Sequence, residues 1–323
     1  MPNPMTFHSQ SLGSERTPAP MPTTAHTPRV SIGMPVYNGE RFVAEAIDSV
    51  LQQTYSDFEL IICDNASTDR TEEICRAYAS KDPRVRYYRN SQNIGAGGNV
   101  QRVFELSNAP YFKWAFHDDI CGPRFLEKCV PVLDQCPNVV LCHPRSAFID
   151  EHGKFLREHT VTCNLRSASP SDRARQYLLE STSAYHPVFG LIRKIALEKT
   201  SLIAPYINSD LVLILQLALL GEIYEVSDQL VFFRDHSGRT NRRFQTYAEM
   251  VSWHDPSKRS RWQFPRWRVV LELARSINHA RLDPRGAVDC YWALLKWCRW
   301  DYKGYIREII YAGRSIGPRT FAP

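Results

Sequence analysis

The chain has no Cys-x-x-Cys pair, and its nine cysteines are scattered and odd in number. That pattern argues against a cysteine-based zinc module or a disulfide framework, and for reduced thiols in a cytosolic protein. No window reaches the apolar length needed to cross a bilayer. The longest apolar block is Leu211–Leu220, and Gln216 interrupts it. The opening residues are rich in Pro, Ser and Thr and contain no apolar h-region, so they do not read as a secretory signal. Residues 1–28 are expected to be a disordered leader. Internal repeats are absent. The expected location is the cytoplasm.

What the chain does have is the composition of a globular protein, with 43% hydrophobic residues over 323 positions. Its charge of +6 is unevenly placed: from Arg239 onward there are 17 Lys and Arg against 7 Asp and Glu, a net of +10, which leaves −4 for the rest. Six of the seven tryptophans also fall in this tail: Trp253, Trp262, Trp267, Trp292, Trp297 and Trp300. Two readings stand side by side. One is a surface that meets anionic lipid, with the protein held peripherally at the inner face of the membrane. The other is a basic helical extension, residues 241–323, whose tryptophans are core. Nucleic-acid binding is not expected, because the basic residues are confined to the tail and no recognition motif accompanies them.

From Arg29 the text alternates strand and helix. Arg29–Val36 reads as a strand, Phe42–Leu51 has helical spacing, and Phe58–Asp64 is a continuous apolar run typical of a buried parallel strand. A helix through Ile74 and Tyr78, a strand at Val85–Asn90, a helix over Gly97–Leu106 and a strand at Tyr111–Phe116 follow. This predicts an α/β fold with a mostly parallel sheet flanked by helices. Further on, Val139–Cys142 reads as a strand, Glu151-His152-Gly153 as a hairpin turn, and Asp210–Gly221 as a buried helix. Ile223–Val226 and Leu230–Arg234 read as two strands, followed by helices. Ligands of such sheets bind beyond the carboxyl ends of the strands. Three polar clusters fall there: Pro35–Glu40, Asp64–Asp69 and His117–Asp119. Sequence-distant groups are thereby expected to share one crevice.

Taken in order, these stretches resemble a family 2 glycosyltransferase of GT-A fold. The segment SIGMPVYNGERFVAEAIDSVLQQTYSDFELIICDNASTDRT is similar to the family's opening, NIGAGGN to its next nucleotide-side loop, and FHDDI to its Asp-x-Asp motif. SDLVLILQLALLG resembles its catalytic helix and RDHSGRT its Arg-x-His segment. The resemblance spans residues 29–240. It departs twice: Phe116 or His117 stands at the first aspartate of Asp-x-Asp, and Ser209 replaces a glutamate before Asp210.

The resemblance implies a nucleoside diphosphate sugar as donor, a uridine one first. It also implies an acceptor hydroxyl on a saccharide or lipid-linked saccharide, as in cell-surface polysaccharide synthesis, and inversion at the sugar carbon. Pro35, Val36, Tyr37, Asn38, Glu40, Asp64, Asn93, Gly95, Asn99 and His117 are then nucleotide-side residues. Alternatives remain for several. Glu40 can favour its helix start, Asp64 can hold the turn after it, and Gly95 can be part of a plain turn. Asp118, Asp119 and His236 are the expected ligands of Mg²⁺ or Mn²⁺, with Asp118 the direct one. His236 can equally be a hydrogen-bonded loop residue. Arg234 or Arg239 is available to phosphate. Asp210 is the expected general base, or a helix cap, or both. A GT-A-shaped binding module without turnover is the alternative function. A nucleotidyltransferase fits less well, because MPVYNGE carries no Lys or Arg before Arg41.

Overall fold

The computed structural model describes residues 26–181, 186–238, 247–254 and 264–312. Most of the expected leader, together with Arg239 and Trp262, lies outside the described residues. A nine-stranded sheet forms the centre. Its first half is built as the sequence predicts. Strands β1 (Val30–Val36) and β2 (Phe58–Asp64) are buried at every position, so an uninterrupted apolar run belongs on both faces. They pair in parallel, and β3 (Val85–Arg89) and β4 (Tyr111–Trp114) extend the parallel set on either side. Helices α1 (Val43–Leu51), α2 (Thr71–Lys81) and α3 (Gly95–Glu105) make the crossovers.

Beyond β4 the sheet is mixed rather than mostly parallel. β5 (Ile120–Cys121) is followed by α4 (Phe125–Gln135), β6 (Val139–Ile149) and β7 (Phe155–Glu158). Then come α5 (Pro170–Gln176), β8 (Leu191–Arg193), α6 (Lys194–Leu197), α7 (Ser209–Leu220) and β9 (Glu222–Arg234). The strand order is β3-β2-β1-β4-β8-β6-β9-β5. β8 runs antiparallel to both β4 and β6, β5 antiparallel to β9, and β6 forms the expected hairpin with β7. The two strands read at Ile223–Val226 and Leu230–Arg234 are one. Along β6, Pro144 pairs with Val226 and Arg145 with Gln229. Ser227 and Asp228 are therefore bulged out, which local sequence cannot distinguish from a turn.

Alternate strand residues feed two apolar clusters, as a period of two requires. Phe112 and Trp114 join one, with α3 and α7, while Tyr111 joins the other, with α1 and α4. The C-terminal helices α9 (Pro265–His279) and α10 (Pro284–Trp300) enter the first cluster through Val269, Leu273, Ile277, Cys290 and Leu294. They therefore share a core with α7. α8 (Tyr247–His254) and α11 (Tyr302–Ala312) complete the described chain. Gly221 ends α7 in extended backbone, φ −171°, not the left-handed cap its position suggests. It is glycine because a Cβ would lie 2.4 Å from Val140 Cγ1 and 2.7 Å from the Asn138 carbonyl oxygen. Among the described residues, no helix is long and apolar enough to cross a membrane.

Candidate active site

The carboxyl ends of β1 and β4, the start of α3, the start of α7 and the end of β9 open onto one cavity of about 1160 Å³. Pro35, Val36, Tyr37, Asn38, Asn93, Asn99, His117, Asp118, Asp119, Asp210 and His236 all line it. Three expected members do not: Glu40, Asp64 and Gly95.

Their placement has physical causes. Asp64 is fully buried behind the wall. One carboxylate oxygen accepts from the Ser67 N–H at 2.8 Å, and the other from Tyr87 Oη at 2.8 Å and Arg89 at 2.6 Å. Both oxygens are engaged in fixing the turn after β2, and Asp64 is not among the residues that line the cavity. Glu40 accepts from the Arg70 N–H at 3.0 Å, while its own N–H donates to Asp69 at 3.0 Å, so it laces the β1 loop to the start of α2. Gly95, at φ +81°, starts α3. The cavity-facing part of this side is an amide mesh. Asn99 donates to the Cys63 carbonyl at 2.8 Å and accepts from Asn90 at 3.0 Å. Asn93 accepts from Asn65 at 2.9 Å and from the Gly95 N–H at 2.8 Å. Tyr37 is half-buried and Asn38 exposed, at φ 49°.

On the acidic side the three expected metal residues divide. Asp118 and His236 meet, with Asp118 Oδ2 and His236 Nε2 3.1 Å apart. Burial alone would raise the Asp118 carboxyl, but His117 and His236 beside it outweigh that and bring it to about 2. It is a standing anion. His117 Nδ1 is buried without a hydrogen-bond partner. An ionised hard oxygen, an imidazole and an uncommitted ring nitrogen suit a divalent cation. Asp119 instead accepts from the Arg234 N–H at 3.0 Å and ties the β4 end to β9.

Arg234 is not available to phosphate. Its guanidinium is 1% exposed and donates to the carbonyls of Asp118 and Glu151 and to Glu45 at 2.7–3.1 Å. It buttresses the acidic loop from behind.

Asp210 lies in the first turn of α7, after Asn208 in left-handed backbone. One of its oxygens accepts from the Leu211 N–H at 3.1 Å, so it serves the helix start although the N-cap position belongs to Asn208. Burial raises its carboxyl from 3.8 to about 6, against the opposing pull of that backbone hydrogen bond. A carboxylate poised there can take a proton near neutral pH. Ser209, by contrast, is buried and donates to the Ala204 carbonyl at 2.8 Å, so no second carboxylate stands at this point.

A family model described as "Glycosyl transferase family 2" matches residues 31–201, more than half of the chain. The chain belongs to that family. The match contains the acidic loop and ends before Asp210 and His236. An uncharacterized glycosyltransferase of Methanocaldococcus jannaschii is 33% identical over 133 residues, 41% of this chain and 46% of that protein. One from Rickettsia felis is 35% identical over 139 residues, 42% of this chain and 22% of that protein. The chain spans less than half the length of the curated relatives it matches. A crystal structure of TarS from S. aureus in complex with UDP-GlcNAc has a TM-score of 0.65 at 16% identity, covering 88% of this chain and 81% of that one. The glycosyltransferase thus has a GT-A-like fold, with a central mixed sheet and a C-terminal helical extension.

Two features escaped the sequence. Trp253, Arg266, Trp297, Trp300 and Tyr305 from the C-terminal helices form a wall of the cavity. The clustering of tryptophan was the available signal, but it pointed equally to core and to membrane. The other feature is a second group that could hold a metal ion, made of His143, His186 and Glu225, whose ligand atoms lie within 4.8 Å of one another. They are too far apart in the chain to form a spacing motif.

Proposed function

We propose that this family 2 glycosyltransferase moves a sugar, with inversion, from a nucleoside diphosphate sugar to an acceptor hydroxyl, and that Asp210 is the general base. The observation that carries the reading is the sharing of one cavity by a standing anion, Asp118, and a carboxylate poised near 6, Asp210. Asp118, with His236 and His117 beside it, would hold Mg²⁺ or Mn²⁺. Such a cation neutralises charge on a departing diphosphate. The chain's own groups do the rest. Pro35–Asn38 and the asparagine mesh receive the nucleotide. Asp210 takes the acceptor proton as the hydroxyl oxygen bonds to the sugar carbon and the bond to diphosphate breaks. A similarly folded protein binds UDP-GlcNAc, which makes uridine donors the first to try.

We further propose a saccharide or lipid-linked saccharide acceptor, as in polysaccharide synthesis, and a cytoplasmic protein held at the inner face of the membrane. Support comes from the outer face of α10 and α11. Trp292, Leu295, Ile306, Ile309 and Ile310 are at least half exposed there, among Lys296, Arg299, Lys303 and Arg307. Apolar side chains ringed by cations suit an anionic lipid surface.

The test is thermal stabilisation and sugar transfer across a panel of nucleotide sugars, with and without Mn²⁺. Stabilisation by one donor class, dependent on the metal and followed by turnover, is expected. Metal-independent binding without turnover would favour a non-catalytic binding module.

A further inference from the structure

Outside the cavity, three side chains are arranged as a ligand set. His143 lies on β6, Glu225 on β9, and His186 opens a 3-10 turn, His186–Phe189. None of them lines the cavity. Both ring nitrogens of His143 face carbonyl oxygens: Nε2 lies 2.9 Å from that of Cys163 and Nδ1 3.2 Å from that of Pro144. A neutral imidazole carries one proton, so one nitrogen turns a lone pair toward an acceptor. His186 Nδ1 is buried with no hydrogen-bond partner. Neutral imidazole is the form that ligates metal.

Glu225 brings a carboxylate with a side chain only 7% exposed, whose Oε1 also lies 3.4 Å from the exposed Arg145. The Cys163 backbone braces two of the three residues. Its N–H donates to Glu225 at 2.9 Å, and its carbonyl faces His143 Nε2. A carbonyl accepting from the second nitrogen is the usual support for a metal-bound histidine.

We propose that His143, His186 and Glu225 bind a zinc ion, with His159 or water in the fourth position, and that this ion pins the turn carrying Val188 and Phe189 to the sheet. The His159 ring lies 4.5 Å from that of His186. Two imidazoles and one carboxylate favour zinc over magnesium. Ligand atoms already within 4.8 Å of one another are close enough for zinc–nitrogen bonds of about 2.0–2.1 Å after small side-chain adjustments, and the bonds would tie the turn to the two strands. That turn matters to the cavity. Phe189 packs on Phe116 at 5.3 Å and on Phe233 at 5.0 Å, and Val188 joins it in the lining.

The experiment uses the full chain without a histidine tag, loaded with zinc, dialysed and assayed for metal by emission spectrometry. About one zinc per chain should remain in the wild type and in Asp118→Ala, and roughly a fifth of that or less in His186→Asn and Glu225→Gln. Zinc should raise the wild-type Tm by several degrees and leave the two variants unmoved. Equal retention in wild type and variants, or none in the wild type, would overturn the site. If a variant fails to fold, cobalt decides in Asp118→Ala, which lacks the carboxylate of the cavity's own cation set. A four-coordinate visible band displaced by about one equivalent of zinc supports the site, and its absence overturns it. Retention by Asp118→Ala keeps this outcome separate from the sugar-transfer reading.

Discussion

Replacing Asp210 by asparagine should remove activity and add stability in the same molecule. The folded carboxyl titrates at about 6 because burial penalises its charge, whereas an unfolded aspartate titrates near 3.9. Below the unfolded value both states are protonated, and the residue costs nothing. Between about 3.9 and 6 the unfolded chain ionises freely while the folded carboxyl keeps its proton, so stability falls across that window and is level above it. The interval from 3.8 to about 6 corresponds to about 3 kcal/mol at 1.36 kcal/mol per tenfold. Asp210 is half-buried and reaches the solvent of the cavity, so about 1–3 kcal/mol is the working range. Asparagine keeps an oxygen for the Leu211 N–H but never ionises. Urea unfolding should therefore show the variant level with the wild type below about pH 4, with the gap opening from about pH 4 to 6 and constant above about pH 7. Transfer of a labelled sugar should drop about 10²–10⁴-fold, the usual worth of a general base. The wild-type kcat/KM should rise with pH and level off above about 6. Full transfer by the variant would refute the base assignment. A stability gap independent of pH would refute the reasoning from burial.

Other outcomes follow from the same geometry. Asp118→Ala should remove the metal dependence of donor binding by calorimetry and also lower the unfolding midpoint at neutral pH, because a carboxyl held at about 2 by His117 and His236 contributes stability that alanine loses. Arg234→Ala should destabilise by about 3–5 kcal/mol in urea, since it strips donors from buried carbonyls. Arg234→Lys should not rescue it, because one ammonium cannot serve contacts that point in several directions. The pair Trp292→Ser with Leu295→Ser should reduce co-sedimentation with anionic vesicles severalfold, yet alter stability by less than about 0.5 kcal/mol per site, as both side chains stand in solvent.

The parallel half of the sheet was legible because VSIGMPV reads as a strand ending in a polar turn and FELIICD as an unbroken apolar run suited to a strand buried on both faces. The antiparallel half was not, since β8 is three residues long and its pairing with β4 and β6 is set at long range. Asp64 shows the limit at the site. An aspartate at a strand end looks the same whether it holds a base or a turn. Only the arrival of Tyr87 and Arg89 on the neighbouring strand engages its oxygens. Asp118 and Asp119 are adjacent and chemically identical, yet the first faces the cavity with His236 and the second ties down Arg234. A strand-end turn points successive carboxylates in different directions, and sequence spacing carries no such angle. Ser209 makes the same point from the other side: its hydroxyl turns inward to the Ala204 carbonyl, a direction that sequence spacing does not carry.

The division of the cavity bears on specificity. At about 1160 Å³ it exceeds the usual few hundred to a thousand for a single small ligand. Its donor-side wall comes from residues up to Asp119, inside the stretch that matches the family model. Much of the remaining wall comes from α8–α11, and it is aromatic and charged: Trp253, Trp297, Tyr305, Arg266 and Asp301. Aromatic faces and a fixed ion pair, with Arg266 donating to Asp301 at 2.6 Å, suit a polyhydroxylated acceptor better than a diphosphate. The helices that supply this wall also share the apolar core of α7, which carries Asp210. Exchanging α9–α11 for those of a relative should therefore disturb the base as well as the acceptor. Single substitutions at Trp297 or Tyr305 are the cleaner probe, with the acceptor KM moving and donor binding unchanged.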